Sequence, residues 1–373
     1  MPRNANAFVF KHSRTLCEKH TAGGRGCGEL PAPHCQETLP PRKTLLDKKG
    51  DLMKRSRPAL IFQLLWTLIG LLYAPSAHAW GCKGHQTVAM LAEKHLTPPA
   101  KQMLLALLQD NPIDTHIRRF CGTAGLDDFA DASTWADDFR STPEGKPTAP
   151  WHFLDISLGA TRSQVPAACG PDGCVTQAIL DQLAILKDKT APAPKRADAL
   201  RFLIHFVGDL HQPLHTETNS DRGGNCVPVA YFRRKPSVKN NEYTPNLHHI
   251  WDTEILERQM QGADAAEYAD TLDAKFGSSF AAWQQGGMQL EDWAWEGHQQ
   301  AVSVGYGALS PKIAIEPNVP VNTCADNNNI GQRMLKKHIA VGVAYQAASG
   351  PLIDMRLAQA GIRLAMILND AAK

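Results

Sequence analysis

The chain has no excess of charge of either sign: 39 Lys and Arg stand against 37 Asp and Glu, a formal net charge of +2 over 373 residues. That excludes the chain-wide basic field of a dedicated polyanion binder and leaves only a local groove to carry positive potential. An apolar run long enough to anchor in a bilayer is also missing. The run at 59–73 falls short of the roughly 20 residues of a spanning helix. From residue 80 onward there is no internal repeat, low-complexity tract or long linker, so 80–373 reads as one domain. Strand patterning is scarce, confined to short stretches such as 227–232.

The start of the chain carries one legible signal. Lys54, Arg55 and Arg57 precede the apolar run, and Ala77-His78-Ala79 follows it. That is the order of an export signal peptide, 53–79, with cleavage expected between Ala79 and Trp80. Residues 1–52 show no apolar periodicity and no readable chemistry, so the expected start of translation is Met53. The alternative is a disordered tail before a signal anchor. After cleavage no stable membrane anchor is expected, and the destination is the periplasm or the exterior.

Six of the nine cysteines lie beyond that site: Cys82, Cys121, Cys169, Cys174, Cys226 and Cys324. An even number in an exported chain favours disulfides. Only Cys169 and Cys174, separated by Gly-Pro-Asp-Gly, can be paired from sequence, because the turn between them makes a local bridge easy.

Helical periodicity covers most of the domain, at 85–95, 101–108, 175–186, 197–210, 249–260, 265–276, 288–304 and 331–368. The fold class is therefore all-α. Pro and Gly clusters at 141–150, 191–194 and 310–319 read as connections. The segment 216–244 is a long polar loop, rich in Gly and Asn, and long loops in compact domains often shape binding clefts.

Eleven histidines follow residue 80, and several stand beside aspartates. His205 and Asp209 are four apart and share a helix face, as do His248 and Asp252. Such a pair can grip one metal. Pro213 should end its helix and swing His215 toward a different ion. His249 points about 100° from His248 and reads as packing. Imidazole and carboxylate donors without thiolate suit catalytic zinc, with manganese or iron as alternatives.

Dispersed motifs complete the pattern: Trp80-Gly-x-x-Gly84-His85, Trp135-Ala-Asp137-x-x-Arg140, His152-Phe153-x-Asp155, His205-x-x-Gly208-Asp209-x-His211-Gln-Pro213-x-His215, Arg222-Gly-Gly-Asn225, Asn246-Leu-His248-x-x-Trp251-Asp252 and a terminal Ala360-Gly-Ile-Arg-Leu-Ala. This ordered set resembles the trinuclear-zinc, single-strand-specific nucleases of the S-one/P-one type, also called 3′-nucleotidases. The resemblance implies a single mostly helical domain shared with zinc phospholipase C, and three zinc ions per chain. One would be held by Asp137, His152, His205 and Asp209, its close partner by Trp80, His85 and Asp209, and the third by His215, His248 and Asp252. Trp80 would contribute its free α-amine and carbonyl oxygen, which only a correctly cleaved N-terminus presents.

By the same resemblance, hydroxide between the close zinc pair attacks phosphorus, and Asp137 and Arg140 carry catalysis, Arg140 by meeting developing charge. Phe153 would stack a base, with Asp155 on its edge and Asn225 nearby. Substrates would be single-stranded DNA or RNA and 3′-nucleotides, yielding 5′-phosphates, and the enzyme a monomer. Cys82 departs from the family pattern; it either pairs with Cys121 or stays free beside the metal site. Two other readings remain open: a zinc phospholipase C acting on phosphatidylcholine-type lipids, and a non-enzymatic zinc-binding protein.

Overall fold

The computed structural model describes residues 80–122 and 128–373. The expected leader 1–52 and signal peptide 53–79 lie outside the described residues. What is described is mostly helical, as the periodicity predicts, with only two-residue and three-residue strands. Among the described residues no helix is long and apolar enough to cross a membrane.

Three helices form the frame: α1 (Cys82–Lys94), α6 (Ala193–Leu210) and the C-terminal α13 (Val343–Ala371). Between α1 and α6 lie α2 (Pro98–Gln109), the one-turn helices α3 (Asp128–Ala132) and α4 (Trp135–Phe139), and α5 (Val175–Lys187). Helix α6 is buried from Ala199 to its end, on every face. A helix apolar all round belongs in the middle of a core, and Leu200, Leu203, Ile204 and Val207 fill that role while His205 and Asp209 supply its only ionisable groups after Arg201. Helices α13 and α1 cross in close contact because residue 361 is glycine. A Cβ there would lie 2.8 Å from Leu91 Cδ2.

The remaining helices are α7 (Leu247–His249), α8 (Ile255–Met260), α9 (Ala265–Phe276), α10 (Phe280–Gln284), α11 (Leu290–Gln300) and α12 (Asp326–Leu335). Two expected boundaries move. The stretch 331–368 is not continuous: α12 ends at Leu335, and β4 (Ala340–Val341) pairs in parallel with β1 (Ala230–Tyr231) before α13 begins. The connection expected at 191–194 is partly helix, since α6 starts at Ala193 with Pro194 in its first turn, where a missing N–H costs nothing. A short antiparallel hairpin, β2 (Ser237–Lys239) and β3 (Glu242–Thr244), rises from the long loop.

All six cysteines of the described chain are paired: Cys82–Cys121, Cys169–Cys174 and Cys226–Cys324. The first settles the open question over Cys82, which is not a free thiol. The last closes a span of 98 residues and ties the polar loop to the segment before α12. Loop-closure entropy for that length predicts that the double replacement of Cys226 and Cys324 by alanine costs about 3–5 kcal/mol. A urea unfolding midpoint equal to that of the parent would contradict this.

Candidate metal centre

The polar cluster is assembled from six short pieces of backbone. Helix α6 presents His205 and Asp209 one turn apart, and α1 and α4 present His85 and Asp137. A 3₁₀ turn, Lys146–His152, delivers His152. Helix α6 stops at Leu210 and Pro213 opens a second 3₁₀ turn, Pro213–His215, that turns His215 off the α6 face as expected from the proline. His248 and Asp252 sit on α7 and on a π-helical turn, Ile250–Glu254, that follows it. Such widened turns recur at functional sites.

Three groups of donor atoms result: His85, His205 and Asp209; Asp137, His152 and His205; His215, His248 and Asp252. Every member is buried. Asp209 is the hub. Its Oδ2 lies 3.2 Å from His205 Nε2 and 3.0 Å from His152 Nδ1, and its Oδ1 lies 3.4 Å from His85 Nε2. Asp137 Oδ1 stands 3.7 Å from both His152 Nδ1 and His205 Nε2. In the other group His248 Nε2 is 3.1 Å from His215 Nε2 and 3.3 Å from Asp252 Oδ2.

Eight of the nine residues expected at the metals fall in these groups, although His205 joins two of them where the resemblance shares Asp209 alone. The ninth, Trp80, is fully buried beside them, its indole N–H donating to the Gly208 carbonyl at 2.8 Å. Gly208 itself is dictated by packing, because a Cβ there would lie 2.9 Å from His85 Nδ1.

An outer ring of hydrogen bonds fixes which nitrogen three of the imidazoles offer. His205 Nδ1 bonds the Ser133 carbonyl at 2.7 Å, His215 Nδ1 the His152 carbonyl at 2.8 Å, and His248 Nδ1 the Gly223 carbonyl at 2.7 Å. Each Nε2 is thereby left to face inward, where the neutral imidazole presents a lone pair, the usual arrangement behind metal-bound histidine. Gln212 does the same for a carboxylate, donating to Asp252 Oδ1 at 2.7 Å and leaving Oδ2 toward His248.

Electrostatics point the same way. Burial, then the neighbouring His205, lowers His85 to about 4, and burial with Arg140 lowers His152 to about 3, so both are neutral at ordinary pH and able to bind a metal. Burial also pulls on His205, but Asp209 and Asp137 outweigh it and hold its pKa up to about 9. Burial opposes ionisation of Asp209 too, yet His205 and the hydrogen bonds from His152, His205 and His85 keep it well below the usual carboxylate range. A proton on His205 thus stands where a cation is wanted. His85 Nδ1 and Asp252 Oδ2 are buried without a hydrogen bond, and His85 Nε2 and Asp209 Oδ1 have only each other, at 3.4 Å. Leaving such atoms unsatisfied costs about 1–3 kcal/mol each, and divalent cations among them would remove that cost. The residues fit metal.

Two of these groups reach, through His152, His215 and His248, a cleft of about 590 Å³ whose walls also include Arg140, Phe153, Asp155 and Asn225. Arg140 Nη2 lies 2.9 Å from Asp137 Oδ1. Phe153 is 38% exposed, a large apolar ring left open at the cleft surface. Surrounding protein, then Asp221, pushes the Asp155 carboxyl up to about 6, although solvent still reaches it in the cleft. Asn225 donates to the Arg222 carbonyl at 2.8 Å.

Sequence reasoning missed the supports. Asp221 holds the loop under the cleft by accepting from Gly224 N–H at 3.0 Å and from the Tyr306 hydroxyl at 2.8 Å. Gln212 stood in a recognised motif without a role. His211, within the histidine-rich stretch, faces away, bonded to the Val207 carbonyl and 3.0 Å from Arg363. Its partner on α13 lies 152 residues away, beyond any local pattern.

Known proteins share this arrangement of sequence. The profile of the S1/P1 nuclease family matches residues 80–373. Nuclease S1 of Aspergillus oryzae is 33% identical over 208 residues, 54% of this chain and 64% of the relative. Nuclease P1 of Penicillium citrinum is 32% identical over 199 residues, 52% of this chain and 65% of the relative. The matched stretch thus spans just under two thirds of each of these two nucleases. Endonuclease 4 of Arabidopsis thaliana is 27% identical over 313 residues, covering 79% of this chain and 89% of the relative.

Proposed function

We propose, since the chain belongs to the S1/P1 nuclease family, that it is a zinc-dependent phosphodiesterase hydrolysing single-stranded DNA and RNA to 5′-phosphate products, with 3′-nucleotidase activity. It is exported, cleaved before Trp80 and acts as a monomer. The observation that carries this reading is the set of three buried donor groups, two of which reach, through His152, His215 and His248, a cleft that also holds an exposed aromatic ring and an arginine.

Asp137, His152, His205 and Asp209 would hold one zinc, Trp80, His85 and Asp209 the second, and His215, His248 and Asp252 the third. When bound, such ions supply Lewis acidity toward phosphoryl oxygens and make a water nucleophilic near neutral pH. The chain's own residues do the rest. Arg140, kept in place by Asp137, meets negative charge that grows on the phosphoryl oxygens. Phe153 stacks an unpaired base, and Asp155 and Asn225 read its edge across the cleft. A base already paired and stacked in a duplex cannot reach that ring, so single strands are preferred.

The test uses protein beginning at Trp80, assayed on denatured DNA, duplex DNA and phosphatidylcholine, before and after chelation and after zinc is restored. Chelation is expected to abolish cleavage and zinc to restore it, with denatured DNA favoured at least about tenfold, the scale of one lost stacking contact. Activity on lipid alone would replace this reading with a phospholipase C. Silence on all three would leave a metal-binding protein without phosphodiesterase activity.

A further inference from the structure

We propose that the β2–β3 hairpin is a second contact surface for the substrate strand, binding nucleotides that flank the one cleaved; this rests on the nuclease reading above. The hairpin concentrates charge in a chain that is otherwise nearly neutral. Residues 232–244 contain Arg233, Arg234, Lys235 and Lys239 against the single carboxylate of Glu242. Arg233, Lys235 and Lys239 are exposed, and none forms an ion pair among the described residues. Two nearby acids are already engaged, Glu242 by Arg222 at 2.8 Å and Glu254 by Arg234 at 3.1 Å.

The hairpin is built firmly and close to the metals. Ser237 pairs with Thr244 and Lys239 with Glu242 across a two-residue turn, Asn240-Asn241, whose positive φ values suit a tight hairpin. β3 runs directly into Asn246, whose side chain caps the helix that bears His248. Lys239 pairs with Glu242, and Glu242, Tyr243 and Thr244 line a second cavity of about 420 Å³. Asn225 lines both cavities, and the second also reaches Asp252. The two cavities thus meet at Asn225, and the second, with Lys83 in its wall, extends the cleft as far as the β3 strand of the hairpin.

Phosphates along a substrate strand are the complementary partner. Each lysine or arginine that neutralises one releases counterions and adds to the salt dependence of binding. The arm would therefore matter for long strands and not for a substrate too short to reach it.

The test is the zinc-loaded triple variant Arg233→Gln, Lys235→Gln and Lys239→Gln, compared with the parent on a single strand of about 20 nucleotides and on a dinucleotide. KM for the long strand should rise about tenfold, and the slope of log(kcat/KM) against log salt should flatten by about 2, at roughly 0.7 per lost phosphate contact. kcat/KM for the dinucleotide should stay within about twofold, since no contact of the arm reaches it. Unchanged kinetics on both substrates would overturn the arm and leave the nuclease intact. Unchanged kinetics with lost binding to anionic vesicles would overturn it in favour of a lipid surface. If the parent cleaves neither substrate, the nuclease reading fails, and fluorescence anisotropy of the labelled strand decides the arm separately: binding lost in the variant supports it, binding retained overturns it.

Discussion

Asp209→Asn is expected to reduce kcat/KM on denatured DNA roughly 10⁴-fold, the scale seen when an essential member of a catalytic unit is removed. Its two oxygens face His85, His152 and His205 at 3.0–3.4 Å, so one substitution disturbs two of the three donor groups. Residues that merely support a metal ligand already change affinity about 10–100-fold, and a shared ligand should exceed that. The amide keeps the shape, so the fold should survive. Its metal-free form should nonetheless titrate differently. His205 is held up to about 9 from 6.5, chiefly because Asp209 and Asp137 outweigh its burial. A raised pKa stabilises the metal-free fold below pH 6.5, and that contribution is lost as pH rises through 9. Zinc needs the neutral imidazole, so metal uptake at pH 7 should release a proton from the parent and less from the variant. Calorimetry in two buffers measures the release, and elemental analysis counts the metal. An Asp209→Asn protein that retains the parent's zinc content would refute the role of Asp209 as the shared ligand.

How much of this was legible in the sequence depended on distance along the chain. His205 with Asp209, and His248 with Asp252, could be placed on common faces because an i, i+4 spacing is local geometry. The turn of His215 onto another group followed from Pro213 alone. The resemblance added His85, Asp137 and His152, which no periodicity joins to the helical pairs. What stayed hidden was support supplied from afar. Ser133, Gly223 and Gln212 orient ligands through carbonyls or an amide, and backbone carbonyls have no sequence signature. The π turn at Ile250–Glu254 was equally invisible, since one extra residue in a turn leaves the apolar pattern nearly unchanged. The break between α12 and α13 escaped for a related reason: Ile339 and Val341 are buried and so continue an apolar rhythm that the chain in fact spends on a parallel β pair.

Adding a single residue before Trp80 is expected to lower kcat/KM at least about a hundredfold and to remove close to one zinc per chain, a loss comparable to that of a ligand's support or more. The start of the domain is pinned to the ligand-bearing elements from several sides. The Trp80 indole bonds Gly208, one residue before Asp209, and Gly81 N–H donates to the Asp252 carbonyl at 2.8 Å. Cys82 is bridged to Cys121. A backbone held this way has little freedom to shift, and Trp80 is fully buried. An added residue converts the α-amine into an amide, whose nitrogen has no lone pair to give a metal, and it must also be housed beside a packed site. His85 and Asp209 would then be left to hold the second ion with too few donors, since catalytic zinc takes three protein ligands before water. The comparison requires protein whose first residue is verified by mass spectrometry as Trp80, set against the extended form, with zinc content and activity measured on both. Equal zinc and equal rates would show that the amine is not a ligand and that His205, already a member of both adjoining donor groups, completes the second site instead.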